Sequence, residues 1–159
     1  MTIEQAWSWA PASHVLLACL VFALARRYGA APERMVAGTL LAASALRVLY
    51  TLAPGAPRIF AHLDLGMIWF EGLVLLALWT IALCAHRLYP LWVGAAQIII
   101  VASYFNPVLL AAGTATTDAI IRAVMIGGQL GATVAGVWSH VVRTRRLGGV
   151  YLSWSGRSV

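Results

Sequence analysis

The sequence predicts an all-α integral membrane bundle of five transmembrane helices, with its amino terminus outside and its carboxyl terminus inside. Three observations predict this class. The 159 residues are 62% hydrophobic and only 10% charged, whereas soluble domains carry roughly 25% charged residues. Apolar runs of ~20 residues, the length that crosses a hydrocarbon core of ~30 Å, recur between short polar breaks. The 11 basic residues, all arginine, gather mostly at the ends of those runs, where cations set orientation. A chain of this length makes one domain, so residues 1–159 read as a single transmembrane unit without a soluble part.

The first span is predicted at about 11–26. Trp7 and Trp9 form an interfacial pair before it, and Arg26-Arg27 stop it. The segment ahead of it, MTIEQAWSWA, carries Glu4 and no cation, the reverse of a signal peptide's basic n-region. The polar connection RRYGAAPER follows, with Gly29 and Pro32 as breakers. The second span, 35–53, ends at Pro54-Gly55-Ala56-Pro57, which cannot continue a helix and reads as a loop through Asp64. The third, 64–86, is the most apolar run and holds one carboxylate, Glu71, before His86-Arg87 close it. Leu88-Tyr89-Pro90 is a tight turn, with Pro90 suited to the first turn of the fourth span, 90–112. From Pro90 to Phe105 that helix reaches only ~24 Å. It therefore either kinks at Asn106-Pro107 and runs towards Gly113, or ends at Phe105 and leaves Val108–Ala112 in the interface. Thr114–Thr117 reads as a loop and Asp118 as the N-cap of the fifth span, 118–142; Arg143, Arg145 and Arg146 open a polar tail, 143–159.

With five spans, Arg26, Arg27, Arg34, Arg87, Arg143, Arg145, Arg146 and Arg157 fall on one side and Arg58 alone on the other. The positive-inside rule then places the amino terminus outside. The net charge of +6 reflects these topology signals and not a nucleic-acid site.

Two charges lie within adjacent spans at matched depth. Arg47 is seven residues before Pro54 and Glu71 seven after Asp64, about 10 Å along antiparallel helices. They are predicted to pair. The pair is either a buried tie that sets how two helices dock or a group that handles protons, ions or substrate, since intramembrane charges are functional candidates. Arg122 follows Asp118 by four residues and is predicted to pair with it. Alternatively it faces an outer polar funnel with Glu71, His14, Tyr50, Thr51, Asp64, Tyr104 and Asn106. Gln97 and Gln129 are expected to hydrogen-bond between helices.

Gly127, Gly128, Gly131, Ala132 and Gly136 form small-xxx-small patterns, which suit packing inside the bundle or against a second subunit. Cys19 and Cys84 lie near opposite faces, so neither a disulfide nor a metal site is expected. The histidine pairs His14/His62 and His86/His140 offer axial ligands for haem. All four, however, lie at or beyond span ends, and interfacial histidines are the favoured reading. No protein metal site, P-loop, nucleophile elbow or dinucleotide fingerprint is present.

GAAPER leading into the second span, HLDLG opening the third, HRLYPLWVGAAQ turning into the fourth and the closing TRRLGGVYLSWS together resemble a group of small alphaproteobacterial membrane proteins, well represented in sphingomonads. The group's turn reads as an arginine, an aromatic pair and Pro-Leu-Trp; here it is Arg87-Leu88-Tyr89-Pro90-Leu91-Trp92. The resemblance covers most of the chain. It implies a multi-pass protein of the bacterial inner membrane, implies no activity, and assigns no role to Glu71 or Arg122. The expected function is an accessory or structural subunit of a membrane complex, surrounded by lipid and joined to a membrane-protein partner or to copies of itself. A small transporter or proton-coupled protein using Arg47–Glu71, and a haem- or quinone-binding redox protein, are the alternatives.

Overall fold

The computed structural model describes residues 3–52, 64–85, 87–106 and 115–147. Among these the chain forms five α-helices and no strand: α1 (Ile3–Tyr28), α2 (Ala31–Leu52), α3 (Leu65–Cys84), α4 (Tyr89–Ser103) and α5 (Ala115–Leu147). Each helix packs on the next, and α5 returns to α1 and touches α2, closing the five into a bundle.

Several boundaries differ from the apolar runs, each for a local reason. α1 begins at Ile3, well before Pro11. The predicted connection RRYGAAPER shrinks to Gly29-Ala30, because Pro32 sits in the first turn of α2, where a missing N–H is harmless. Glu33 reaches back to cap that turn, accepting from the Ala30 N–H at 2.9 Å. The tight reversal needs Gly29: a Cβ there would lie 2.7 Å from the Ala25 carbonyl oxygen and 2.8 Å from the Glu33 Cβ.

α4 ends at Ser103, short of the predicted 112. Tyr104 and Phe105 donate to Val101 and Ala102 in i→i+3 bonds of 3.2 and 3.0 Å, and the helix tightens and stops. Residues 107–112 of the predicted span lie outside the described residues. α5 is longer than predicted: it starts at Ala115, so Asp118 lies in its first turn and is not its N-cap, and it carries Arg143, Arg145 and Arg146 on helix and not in a tail.

The buried positions recur every three or four residues. On α3 they are Met67, Glu71, Val74, Leu78, Ile81 and Ala82; on α4 they are Pro90, Val93, Gly94, Gln97, Ile100 and Ser103. This spacing is one stripe of a helix. Glu71 and Gln97 fall on those stripes, so the same periodicity that buries leucine and valine carries them inside. The apolar core is built by all five helices, with Val21 and Ala25, Val36 and Leu40, Leu78 and Ile81, Val93, and Leu130 and Val137 in contact. α3 and α5 are long and apolar enough to cross a membrane; α4 is apolar but shorter.

Candidate functional site

Arg47 and Glu71 meet, as their matched depth on consecutive helices requires. The contact is bidentate: Nε to Oε1 at 2.5 Å and Nη2 to Oε2 at 2.7 Å. Glu71 has no exposed surface, whereas 13% of the Arg47 side chain is accessible. A fork-to-carboxylate pair in this setting is the strongest form of side-chain ion pair, and it holds both groups in one orientation.

The carboxylate passes the contact on. Gln97 Nε2 donates to Glu71 Oε2 at 2.6 Å and to the Glu71 carbonyl at 3.2 Å. An ionised carboxylate only accepts, so Gln97 must present its nitrogen there and turn its oxygen to α5. Gln129 Nε2 donates to that oxygen at 2.9 Å and to the Val93 carbonyl at 3.1 Å. One directional chain, Arg47–Glu71–Gln97–Gln129, thus crosses α2, α3, α4 and α5. It ends on Gln129 Oε1, which is buried and finds no hydrogen-bond partner among the described residues. Thr133, also buried, donates to the Gln129 carbonyl at 2.8 Å within its own helix.

Other predicted residues surround this chain at the end of the bundle where α2 stops and α3 starts. Asp64 caps α3, accepting from the Met67 N–H at 3.1 Å, and receives the Tyr50 hydroxyl at 2.7 Å. Tyr104 lies within electrostatic range of Glu71, Arg122, Arg47 and Asp64. Asp118 does not pair with Arg122 as predicted. It accepts from Asn106 Nδ2 at 3.0 Å, while Arg122 turns to α4, with its guanidinium 4.7 Å above the Tyr104 ring and Nη1 3.5 Å from Ser103 Oγ. The i,i+4 pairing loses because the end of α4 supplies both a ring face and a hydroxyl. His14, on α1, is half-buried and stands apart from this network; the side chain of Thr51 is outside the description.

A second buried cluster lies at the opposite end, and reading the sequence missed it. Arg87 Nη1 donates to Glu33 Oε1 at 2.5 Å, with 3% and 0% of the two side chains exposed. Arg87 Nη2 lies 2.9 Å from His140 Nδ1. Arginine has no lone pair to offer, so His140 must accept at Nδ1 and carry its proton on Nε2 as neutral imidazole. The Tyr89 hydroxyl is buried without a hydrogen-bond partner among the described residues. In the sequence Arg87 reads as a topology signal, and nothing there singles out Glu33 as its partner. The available signal was Pro32-Glu33 two positions beyond Gly29-Ala30, a helix-start pattern that turns a glutamate back to the backbone.

Of the small residues on α5, Gly136 is buried against the Tyr89 ring, and a Cβ there would approach ring carbons to 2.9 Å. Ala132 packs against the core. Gly127, Gly128 and Gly131 are exposed, and a Cβ on them would meet nothing within 4 Å. Cys19 and Cys84 are both exposed, and no disulfide joins them. No group of three or more histidine, cysteine, aspartate or glutamate side chains among the described residues would hold a metal ion. His62 and His86 lie outside the described residues, and Nδ1 of His140 is occupied by Arg87.

No protein-family model, curated protein or solved structure matches this chain.

Proposed function

We propose that the chain is a multi-pass protein of the bacterial inner membrane, with five spans and its amino terminus outside, acting as a non-enzymatic accessory or structural subunit whose helices are locked by the Arg47–Glu71–Gln97–Gln129 chain. The observation that carries the membrane part is the inverted distribution of polarity. Glu33, Glu71, Gln97 and Gln129 are buried, while Leu73, Leu83, Trp69, Trp92 and Trp138 are each at least 64% exposed. Only 33% of the apolar stretch of α3 and 28% of that of α5 are buried inside the bundle, whereas the core helix of a soluble protein is mostly buried. Such a surface suits hydrocarbon, where a bundle without an apolar exterior would lose its solvent. The wide separation of Trp69 from Trp92 and Trp138 along the helices matches two interfacial belts.

The subunit role is supported by the way the buried chain uses its groups. Both Glu71 oxygens and both ends of Gln97 are engaged within the protein. They form a tie between four helices. Reporter fusions test the topology: one after Val159 should be active only in its cytoplasmic form, and a periplasmic signal there overturns it. Mild extraction followed by mass spectrometry tests the role: a stoichiometric partner or homo-oligomer is expected, and a solitary monomer overturns it.

The transport reading has one observation of its own, the stacking of Arg122 on Tyr104, a ring that also lies within electrostatic range of Glu71 and Arg47. On that reading Glu71→Gln abolishes a flux that the wild type supports. A variant that folds and keeps the full flux removes Glu71 from transport.

A further inference from the structure

At the end of the bundle where α2 stops and α3 starts, Arg122 makes no ion pair among the described residues. The carboxylates described around it take their hydrogen bonds from other groups. Glu71 takes Arg47 on both oxygens and Gln97 on one. Asp64 receives the Tyr50 hydroxyl and the Met67 N–H. Asp118, one turn earlier on α5, accepts from Asn106. Among the described residues Arg122 makes one long hydrogen bond, Nη1 to Ser103 Oγ at 3.5 Å; that hydroxyl gives its own proton to the Ile100 carbonyl at 2.7 Å. A guanidinium has five N–H donors in a planar fork. Here its face is held 4.7 Å over the Tyr104 ring, and stacking through the face leaves the forked edge free for a planar or tetrahedral oxyanion.

We propose that Arg122, stacked on Tyr104 and flanked by Ser103, anchors a binding site for a phosphate-type oxyanion, borne by a lipid headgroup or free in solution. Ser103 is buried and Arg122 half-buried. Arg122 lies seven residues past Ala115, where α5 starts, about 10 Å into the helix. If the chain spans the membrane as proposed, that is within the outer leaflet, within reach of its headgroups for a long side chain; the oxyanion chemistry itself does not depend on the topology.

The test uses the full chain purified in non-ionic detergent. Inorganic phosphate is titrated at constant ionic strength against chloride, with thermal unfolding and calorimetry as readouts. In parallel, the protein is taken from vesicles of mixed phosphatidylglycerol and phosphatidylcholine and its retained lipids are weighed by native mass spectrometry. Phosphate-specific stabilisation that weakens about tenfold or more in affinity in Arg122→Gln, the scale of a lost charge-assisted hydrogen bond, assigns a free oxyanion. No phosphate effect, together with phosphatidylglycerol retention that falls in Arg122→Gln, assigns the lipid source. Arg122→Lys keeps the charge without the fork and is expected to bind more weakly than wild type in whichever arm responds, which covers the case in which Arg122→Gln does not fold. Equal behaviour of wild type and variants in both arms overturns the proposal. Failure of the topology fusions with phosphate binding intact would remove the membrane reading and leave this site standing.

Discussion

Glu71 is a carboxylate with no exposed surface, and its three donors account for its burial. Taking it out of water costs several kcal/mol before any partner is counted. Glu71→Leu should therefore destabilise the protein by about 3–5 kcal/mol, because it strands Arg47 and leaves Gln97 only the longer bond to the backbone carbonyl of residue 71. The double variant Arg47→Met/Glu71→Leu should recover much of that loss, since an apolar pair of similar volume does not need the contact. Denaturant unfolding in detergent measures both; strictly additive losses would show that the two residues are not coupled. At the other end Glu33→Gln removes the charge that faces Arg87 and leaves a cation with 3% of its side chain exposed. A comparable loss, about 3 kcal/mol, is expected in the same unfolding assay.

Among the elements, the two ends of the glycine series on α5 behave oppositely. Gly136 lies under the Tyr89 ring, so Gly136→Ala forces the ring or α4 to move and should cost about 1–3 kcal/mol. Gly131 faces open space, and Gly131→Ala should be neutral or stabilise by up to about 1 kcal/mol through helix propensity alone. Melting temperatures of the two variants separate packing from propensity. Gly66 makes a similar point on α3. A Cβ there would lie 2.7 Å from the Tyr50 hydroxyl, so Gly66→Ala should break the Tyr50–Asp64 contact and loosen the start of α3, read as faster amide exchange at Met67. α4 itself is short, at 15 residues or about 22 Å. It has apolar neighbours on both sides and is held by Gln97 in the middle and Pro90 at its start.

For the whole molecule, one polar chain enters from the Arg47–Glu71 end and reaches the middle at Gln97 and Gln129, the second cluster lies at the other end, and Leu40, Val74, Leu78, Val93, Leu130 and Val137 pack as the apolar core. Each cluster ties different helices: α2 to α5 through Glu71 and the glutamines at one end, and α2, the α3–α4 turn and α5 through Arg87 at the other. α2 and α5 take part in both. Removing both carboxylates, Glu33 and Glu71, should therefore lower the cooperativity of unfolding as well as the midpoint, seen as a shallower transition than either single variant gives. A transition as steep as wild type would mean that the apolar core alone holds the bundle.

The sequence by itself determined the helical class, the break at Gly29 and the Arg47–Glu71 pair. These are local or nearest-neighbour matters: run length, breaker residues, and equal depth on two helices joined in series. What the tertiary structure decided are contacts between elements distant in the chain. Glu33 and Arg87 are 54 residues apart, and no periodicity links them. Gln97 and Gln129 could be assigned to interhelical bonding from their depth, but not to Glu71 or to each other. Arg122 was legible as half of an i,i+4 pair, and its actual partners depend on where α4 stops. That stop brings Ser103 and Tyr104 to α5, and a side chain goes where the packed neighbours offer the better surface.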